Sequence, residues 1–243
     1  MEIGAFFDID GTLTRTSLML KHFEKLVQTE TIDIFTFVNE VKPISDSYNK
    51  RHTFYDDYLE NIASLYTKAL KGVKFDFIDH LARQVVEAGF EEVYKYTRSR
   101  LEFHKKMGHK IFFISGSPHF LVSHIAKKYE VTDFLGTIYE IDKNNFFTGN
   151  YFKMWDSSNK LKTMRQFVEK YSIDLSKSFS YGDTTGDLSM FRLSGNPITI
   201  NPSNNLLKKI RNDELVRKKI KIIVERKDVI YSLGPDTKTL DLY

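Results

Sequence analysis

The stretch FFDIDGTLTR, residues 6–15, decides how the rest of the chain is read. An apolar run starting at Ile3 leads into it and ends in two acids one residue apart, Asp8 and Asp10, then Gly11, Thr12 and Thr14. Side chains on a strand repeat every two residues, so a strand ending here delivers both carboxylates to one side. Two carboxylates about 4 Å apart repel by roughly 4 kcal/mol at an effective dielectric of 20. Their proximity calls for a cation, a shared proton, or displacement of one acid onto the turn. The pattern returns at YGDTTGDLSM, residues 181–190, where Asp183 follows an apolar run and Asp187 stands at an expected helix start. Four acids at the ends of two strands, in a chain without cysteine, favour the hard cation Mg²⁺ over zinc. A calcium loop fails by count. With Asp8 first, Leu13 stands where that loop needs glycine and Met19 where it needs glutamate.

Working outward, short apolar runs recur at 3–7, 110–115, 178–182, 197–201 and 220–224, with amphipathic stretches near 118–129, 158–171, 185–194 and 203–211. This alternation predicts an α/β fold, a Rossmann-like parallel sheet with helices on both faces. Ligands of such sheets bind beyond the carboxyl ends of the strands. Residues 16–90 have another texture. Met19, Phe23 and Leu26, then Ile34, Phe37 and Val41, then Tyr58, Ile62 and Leu65, then Ile78, Leu81 and Val85 recur at helical spacing, punctuated by Pro43, Gly72 and Gly89. They predict an α-helical cap, 16–90, inserted after the first strand of a catalytic core formed by 1–15 and 91–243. A helix over 91–107 would lead back to the sheet at Lys110, and 137–152 would form short strands or a hairpin.

Two further motifs are weak alone. FFISGSPHF, residues 112–120, reads as a strand ending at Ser115, with Ser117 as helix N-cap and Pro118 in the first turn. Its hydroxyls and the amides of Gly116 and Ser117 would suit an anion. Lys160, in DSSNKLKTM, opens another helix, with Lys162 as competitor.

Taken together the set is specific. DIDGT, the serine of ISGS, a lysine and GDTTGD resemble, in order and spacing, the four motifs of the haloacid dehalogenase superfamily of phosphohydrolases. The helical insertion and MGHKIFFISGSPHFLVSHIAKKY, residues 107–129, look like its phosphoserine-phosphatase-like branch. The resemblance spans roughly residues 3–201. It implies Asp8 as nucleophile, forming an aspartyl-phosphate, and Asp10 as acid and then base. It implies Mg²⁺ held by Asp8, the backbone carbonyl of Asp10 and Asp183, with Asp187 in support directly or through water. Lys160, Ser115 and the amides of Gly116 and Ser117 would neutralise and position the phosphoryl group. Gly11 permits the turn, and Thr12 either orients Asp10 or serves the turn as a structural hydroxyl.

The substrate expected is a small phosphate monoester. Phosphoserine phosphatases place a glutamate early in the cap, and here that position is Ser17, with Glu24 the first acid afterwards. Arg15 would meet a carboxylate or second phosphate unless it is simply solvated, the favoured reading; Arg51 and His52 are weaker cap candidates. Phe35, Phe37, Phe54, Tyr55, Tyr58, Phe75 and Phe77 read as core first and as a ligand wall second. A lipid-derived phosphate follows from the second reading. His119 and Trp155 lie near the motifs without a role. Phosphotransfer to an alcohol, or a non-catalytic Mg²⁺-dependent phosphoacceptor module, are the alternatives to hydrolysis.

Composition sets the outer limits. Of 243 residues, 41% are hydrophobic and 28% charged, enough apolar material for a sizeable core. Lack of cysteine makes a reducing compartment unproblematic, and a cytoplasmic location is expected, with neither a signal peptide nor a transmembrane segment. The net charge of +4 owes something to KKIRNDELVRKKIKIIVERK, residues 208–227, but the interspersed acids mark a solvated surface rather than a nucleic-acid contact.

Overall fold

The computed structural model describes residues 1–50 and 52–240. Strand β1 (Gly4–Phe7) is buried along its whole length, which is why it reads as a continuous apolar run. It pairs in parallel with β2 (Lys110–Pro118) on one side and β5 (Phe179–Gly182) on the other. Phe6 stacks on Phe112 at 4.8 Å on one face, and Phe7 stacks on Tyr181 at 4.2 Å on the other. Beyond β2 lie β3 (Asp133–Ile141) and β4 (Phe147–Phe152). Beyond β5 lie β6 (Asn196–Ile200), β7 (Lys221–Arg226) and β8 (Val229–Leu233). The eight-stranded order is β4-β3-β2-β1-β5-β6-β7-β8, antiparallel only at its two outer pairs. The order in which strands are laid down reverses at β1, so a crevice opens beyond the carboxyl ends of β1, β2 and β5.

Eleven α-helical segments are described, beginning with α1 (Leu18–Gln28), which is N-capped by Ser17. Next, α2 (Ile34–Thr36), a π-helical turn (Phe37–Val41) and α3 (Lys42–Asn49) run on in continuous helical backbone. Pro43 was expected to punctuate the helical pattern; instead the π turn just before it accommodates its missing N–H and the bulk of its ring. Helices α4 (Tyr55–Leu70) and α5 (Phe75–Gly89) complete the segment between β1 and α6 (Lys95–Lys106). Helix α7 (His119–Tyr129) follows β2, and α8 (Ser157–Tyr171) precedes β5. A 3₁₀ turn (Thr185–Asp187) and α9 (Leu188–Leu193) follow β5; α10 (Asn204–Asn212) and α11 (Glu214–Arg217) lie before β7. None of the described helices is long and apolar enough to cross a membrane.

Met19, Phe23 and Leu26 of α1, Ile62 and Tyr66 of α4 and Ile78, Leu81 and Val86 of α5 share one buried cluster with Phe120, Leu121 and Ile125 of α7. The helical periodicity of 16–90 therefore marks a face packed against the sheet's own helix layer. The sheet extends further than the sequence indicates. β3 starts at Asp133 and pairs in parallel with β2 before turning antiparallel to β4, so 137–152 is part of the main sheet. β8 reads VIYSL, apolar in sequence, yet it lies exposed at the edge of the sheet, where Val229, Ile230 and Tyr231 face solvent.

Candidate active site

Asp8 continues the β1 ladder, its amide donating to the Tyr181 carbonyl at 3.0 Å. The chain then turns sharply: the amides of Thr12, Leu13 and Thr14 converge on the Ile9 carbonyl at 3.2, 2.7 and 2.9 Å. Gly11 takes φ +78°, and a Cβ there would collide with the Asp183 carboxylate. Only glycine meets both demands. The turn sends the two acids to different partners. Asp8 Oδ1 accepts from Lys160 Nζ at 2.7 Å, and its Oδ2 from the Thr12 hydroxyl at 3.3 Å. Asp10 Oδ1 accepts from the Leu18 amide at 2.8 Å, at the N-terminus of α1, and its Oδ2 accepts from the Ser117 hydroxyl.

The second acid pair sits one strand away. Asp187 Oδ2 accepts from the amides of Asp183 and Thr184, both at 3.0 Å, in a reciprocal cap of the 3₁₀ turn. Its Oδ1 accepts from Lys160 Nζ at 2.6 Å. Asp183 Oδ1 accepts from Thr12 Oγ1 at 2.9 Å. One lysine thus bridges Asp8 and Asp187, and one hydroxyl is shared between Asp8 and Asp183. Lys160 is 2% exposed on α8, whose N-cap is Asp156, whereas Lys162 is exposed.

Asp8, Asp183 and Asp187, all buried, present carboxylate oxygens within 4.8 Å of one another. Burial pushes Asp8 up to about 7; Lys160 opposes this, while Asp187 and Asp10 add to it. Burial also holds Asp183 well above the usual carboxylate range, reinforced by Asp8 and Asp187. Asp10 is raised by burial against the hydrogen bonds from Ser117 and Leu18. Burial pulls the Lys160 ammonium down, but Asp187 and Asp8 more than compensate and it is raised. A single lysine therefore leaves the cluster short of positive charge. An all-oxygen set of crowded, desolvated carboxylates fits a hard divalent cation.

A cavity of about 310 Å³ opens on Asp8, Asp10, Gly116, Ser117, Lys160 and Thr184. Ser115 stands behind it, fully buried, its Oγ accepting the Ser117 amide at 3.1 Å. Three local readings change here. The expected N-cap is not Ser117 but Pro118, with α7 starting at His119; the Ser117 hydroxyl turns to Asp10 instead. The Ser117 amide is directed to Ser115 rather than open to an anion. Thr12 orients Asp183 and Asp8, while the hydroxyls at Asp10 are those of Ser117 and, at 3.5 Å, Thr14.

A larger recess, about 750 Å³, touches the acid cluster only through Gly11 and Asp183. Asp8, Asp10 and Lys160 line the smaller one. Arg15 faces the recess and pairs with Glu225 at 3.2 Å, its side chain 53% exposed. Glu225 also accepts the Lys95 and Tyr96 amides at 3.0 and 2.9 Å, capping α6 from β7. This is how the basic stretch 208–227 is used: it supplies structural helices, a strand and a helix cap. Phe54 and Tyr55 line the recess; Tyr58 is buried and stacks on Tyr48 at 4.5 Å; Phe37 and Phe75 pack on the core, and Phe35 and Phe77 are exposed. His52 and Glu24 are exposed, and Arg51 lies outside the described residues. Ser17, beside the smaller cavity, receives the Leu20 amide at 3.4 Å as a helix cap. His119 stacks on Phe134 at 5.1 Å. Trp155 packs where a Cβ on Gly116 would fall, 2.8 Å from its own Cβ, and so walls the cavity. Trp155 and Thr184 carry no local signal of this placement beyond their proximity to the motifs.

The family model for haloacid dehalogenase-like hydrolases matches residues 5–192. Among the relatives it matches, the phosphoserine phosphatase SerB1 of Mycobacterium tuberculosis is 24% identical over 84% of this chain and 66% of its own length. A histidinol-phosphatase of Neisseria meningitidis is 21% identical over 85% of this chain and 94% of its own. The chain spans about two thirds of the length of the mycobacterial relatives it matches. A crystal structure of a Bordetella pertussis protein of unknown function superposes with a TM-score of 0.71 at 16% identity, covering 90% of this chain and 98% of that one.

Proposed function

The chain belongs to the haloacid dehalogenase-like hydrolases, and from that premise we propose that it is a Mg²⁺-dependent phosphatase of small phosphate monoesters, working through Asp8. The observation that carries this is the division of labour between two carboxylates in one cavity. Asp8 lies against Lys160 within the acid cluster, while Asp10 is tied to the N-terminus of α1 and to Ser117. Two acids with different surroundings can take the nucleophile and proton-transfer roles.

An Asp8 carboxylate oxygen attacks phosphorus as the P–O bond to the leaving group breaks, and the Asp10 carboxyl gives its proton to the departing oxygen. Asp10, now ionised, takes a proton from the water that attacks the aspartyl-phosphate. Inorganic phosphate leaves and the Asp8 carboxylate is restored. Lys160 and the Gly116 backbone face the phosphoryl oxygens, with Ser115 and Ser117 bracing the loop. Asp8 and Asp183, with the Asp10 carbonyl, would hold Mg²⁺, which when bound neutralises phosphoryl and carboxylate charge. Asp187 supports them by holding Lys160 and the 183–184 amides. The helical segment 16–90 serves as the cap over this cavity, contributing Ser17, Met19, Leu59, Glu60 and Ala63. The relatives' names, one for phosphoserine and one for histidinol phosphate, support the reaction and differ on the ester.

The test is hydrolysis of p-nitrophenyl phosphate with Mg²⁺ and with EDTA. Wild type should turn over only with the metal, and Asp8→Asn should lose turnover altogether. Full activity in Asp8→Asn would remove Asp8 as nucleophile.

A further inference from the structure

The larger recess, about 750 Å³, takes no part in the chemistry above, although its volume is that of a small-molecule site. Part of its lining is aromatic, made by Tyr48 and Phe54 of the inserted segment and by Tyr94 just before α6. Tyr48 is held by its stacking on Tyr58, and the Arg15 guanidinium lies 5.9 Å from the centre of the Tyr94 ring. Phe54, by contrast, is 57% exposed and among the described residues stacks on no other ring. The remainder of the lining comes from α10, β7 and the chain that follows β8, and it carries Arg211, Arg226 and Lys238. Arg211 donates to the carbonyls of Pro235 and Thr237 at 3.1 and 2.8 Å and to the Thr239 hydroxyl at 3.1 Å, none of them charged. Among the described residues neither Arg226 nor Lys238 pairs with an acid. The two acids of the recess are already engaged, Glu225 by Arg15 and Asp183 within the acid cluster. Three cations therefore line the recess without a counter-charge.

We propose that this recess is a second binding site, separate from that of the ester, for an aromatic organic anion. A flat ring fits against Phe54, Tyr48 and Tyr94, since aromatic groups favour stacked or edge-on contact with one another. A carboxylate or phosphate on that ring would meet the uncompensated guanidinium and ammonium groups, and a cleft lined by one sign of charge concentrates ions of the other. A small inorganic anion would leave Phe54 uncovered, and a cation would face like charge. The ligand bridges the inserted segment and the far end of the sheet. It approaches the acid cluster only at Gly11 and Asp183, so it does not compete for Asp8, Asp10 or Lys160.

The experiment is calorimetric titration of the full chain with naphthalene-2-sulfonate, an aromatic anion with no phosphate ester to hydrolyse. The uncharged naphthalene-2-sulfonamide and the ring-free anion methanesulfonate are titrated in parallel. The aromatic anion should bind one to one, and each control at least about fivefold more weakly. Phe54→Ala and Arg226→Gln should each weaken it by about three- to fivefold. Lys209→Gln, which removes a cation from the smaller cavity instead, should leave it unchanged. All three side chains are exposed, so the fold tolerates the substitutions. No binding at millimolar naphthalene-2-sulfonate, equal binding of the sulfonamide or of methanesulfonate, unchanged affinity in both Phe54→Ala and Arg226→Gln, or a loss confined to Lys209→Gln overturns the proposal. None of these results bears on hydrolysis of p-nitrophenyl phosphate, so the second site and the phosphatase reading can fail separately.

Discussion

Replacing Lys160 with methionine keeps the length of the side chain and removes the positive charge of the acid cluster. Its Nζ lies 2.7 Å from Asp8 and 2.6 Å from Asp187, all three groups being almost fully buried. Each contact has a gross attraction of about 6 kcal/mol at an effective dielectric of 20, most of it offset by desolvation. The cost of removing one partner of a buried pair is about 3–5 kcal/mol, because the remaining carboxylates keep their desolvation penalty. For a domain of this size that lowers Tm by about 10 °C. The assay is thermal unfolding in EDTA, near pH 8 and near pH 5. Burial already sets Asp8 and Asp183 above their unfolded values, and Lys160 is what holds Asp8 down to about 7. An acid raised on folding contributes stability at low pH that is lost as pH rises through its folded value. The Lys160→Met penalty should therefore be largest near pH 8 and shrink towards pH 5, where the folded acids take up protons. Excess Mg²⁺ should restore more stability to the variant than to wild type. A loss below about 1 kcal/mol, or one equal at both pH values, would refute the charge-balance reasoning.

Thr12→Val removes the hydroxyl shared by Asp183 and Asp8; Mg²⁺ affinity, titrated calorimetrically, should fall by about tenfold or more. Glu225→Gln weakens the cap on α6 and the pair with Arg15, and urea unfolding should show a loss of about 1–3 kcal/mol. His22 is buried, with Nε2 donating to the Ile78 carbonyl and Nδ1 accepting from Tyr66, and burial depresses it to about 4. Because the unfolded chain takes up this proton first, His22 should cost ~3 kcal/mol of stability as pH falls from 6.5 to about 4. His22→Gln should flatten that part of a stability–pH curve; an unchanged slope would show that His22 is not the group titrating.

The candidate site was legible where its chemistry is local. β1 carries Asp8 to its carboxyl end, the turn that Gly11 permits places Asp10 beside it, and Asp183 and Asp187 follow the neighbouring strand in the same way. Lys160 could not be preferred over Lys162 on spacing alone, because only the orientation of α8 buries one and exposes the other. Ser117 was misread for a related reason. N-cap preference is a local tendency, and it was overridden by a carboxylate from the turn after β1.

The sequence by itself determined the alternation of buried strands with amphipathic helices, the placement of four acids at strand ends, and the helical insertion between Asp10 and the second strand. All of these follow from periodicity and turn chemistry within a few residues. Only the tertiary structure decided which hydroxyl serves which carboxylate, that Glu225 closes α6 from a strand 130 residues away, and that Glu60 faces the cavity. These pairings depend on how helices seat against the sheet. Long-range packing sets that seating, and no spacing along the chain encodes it.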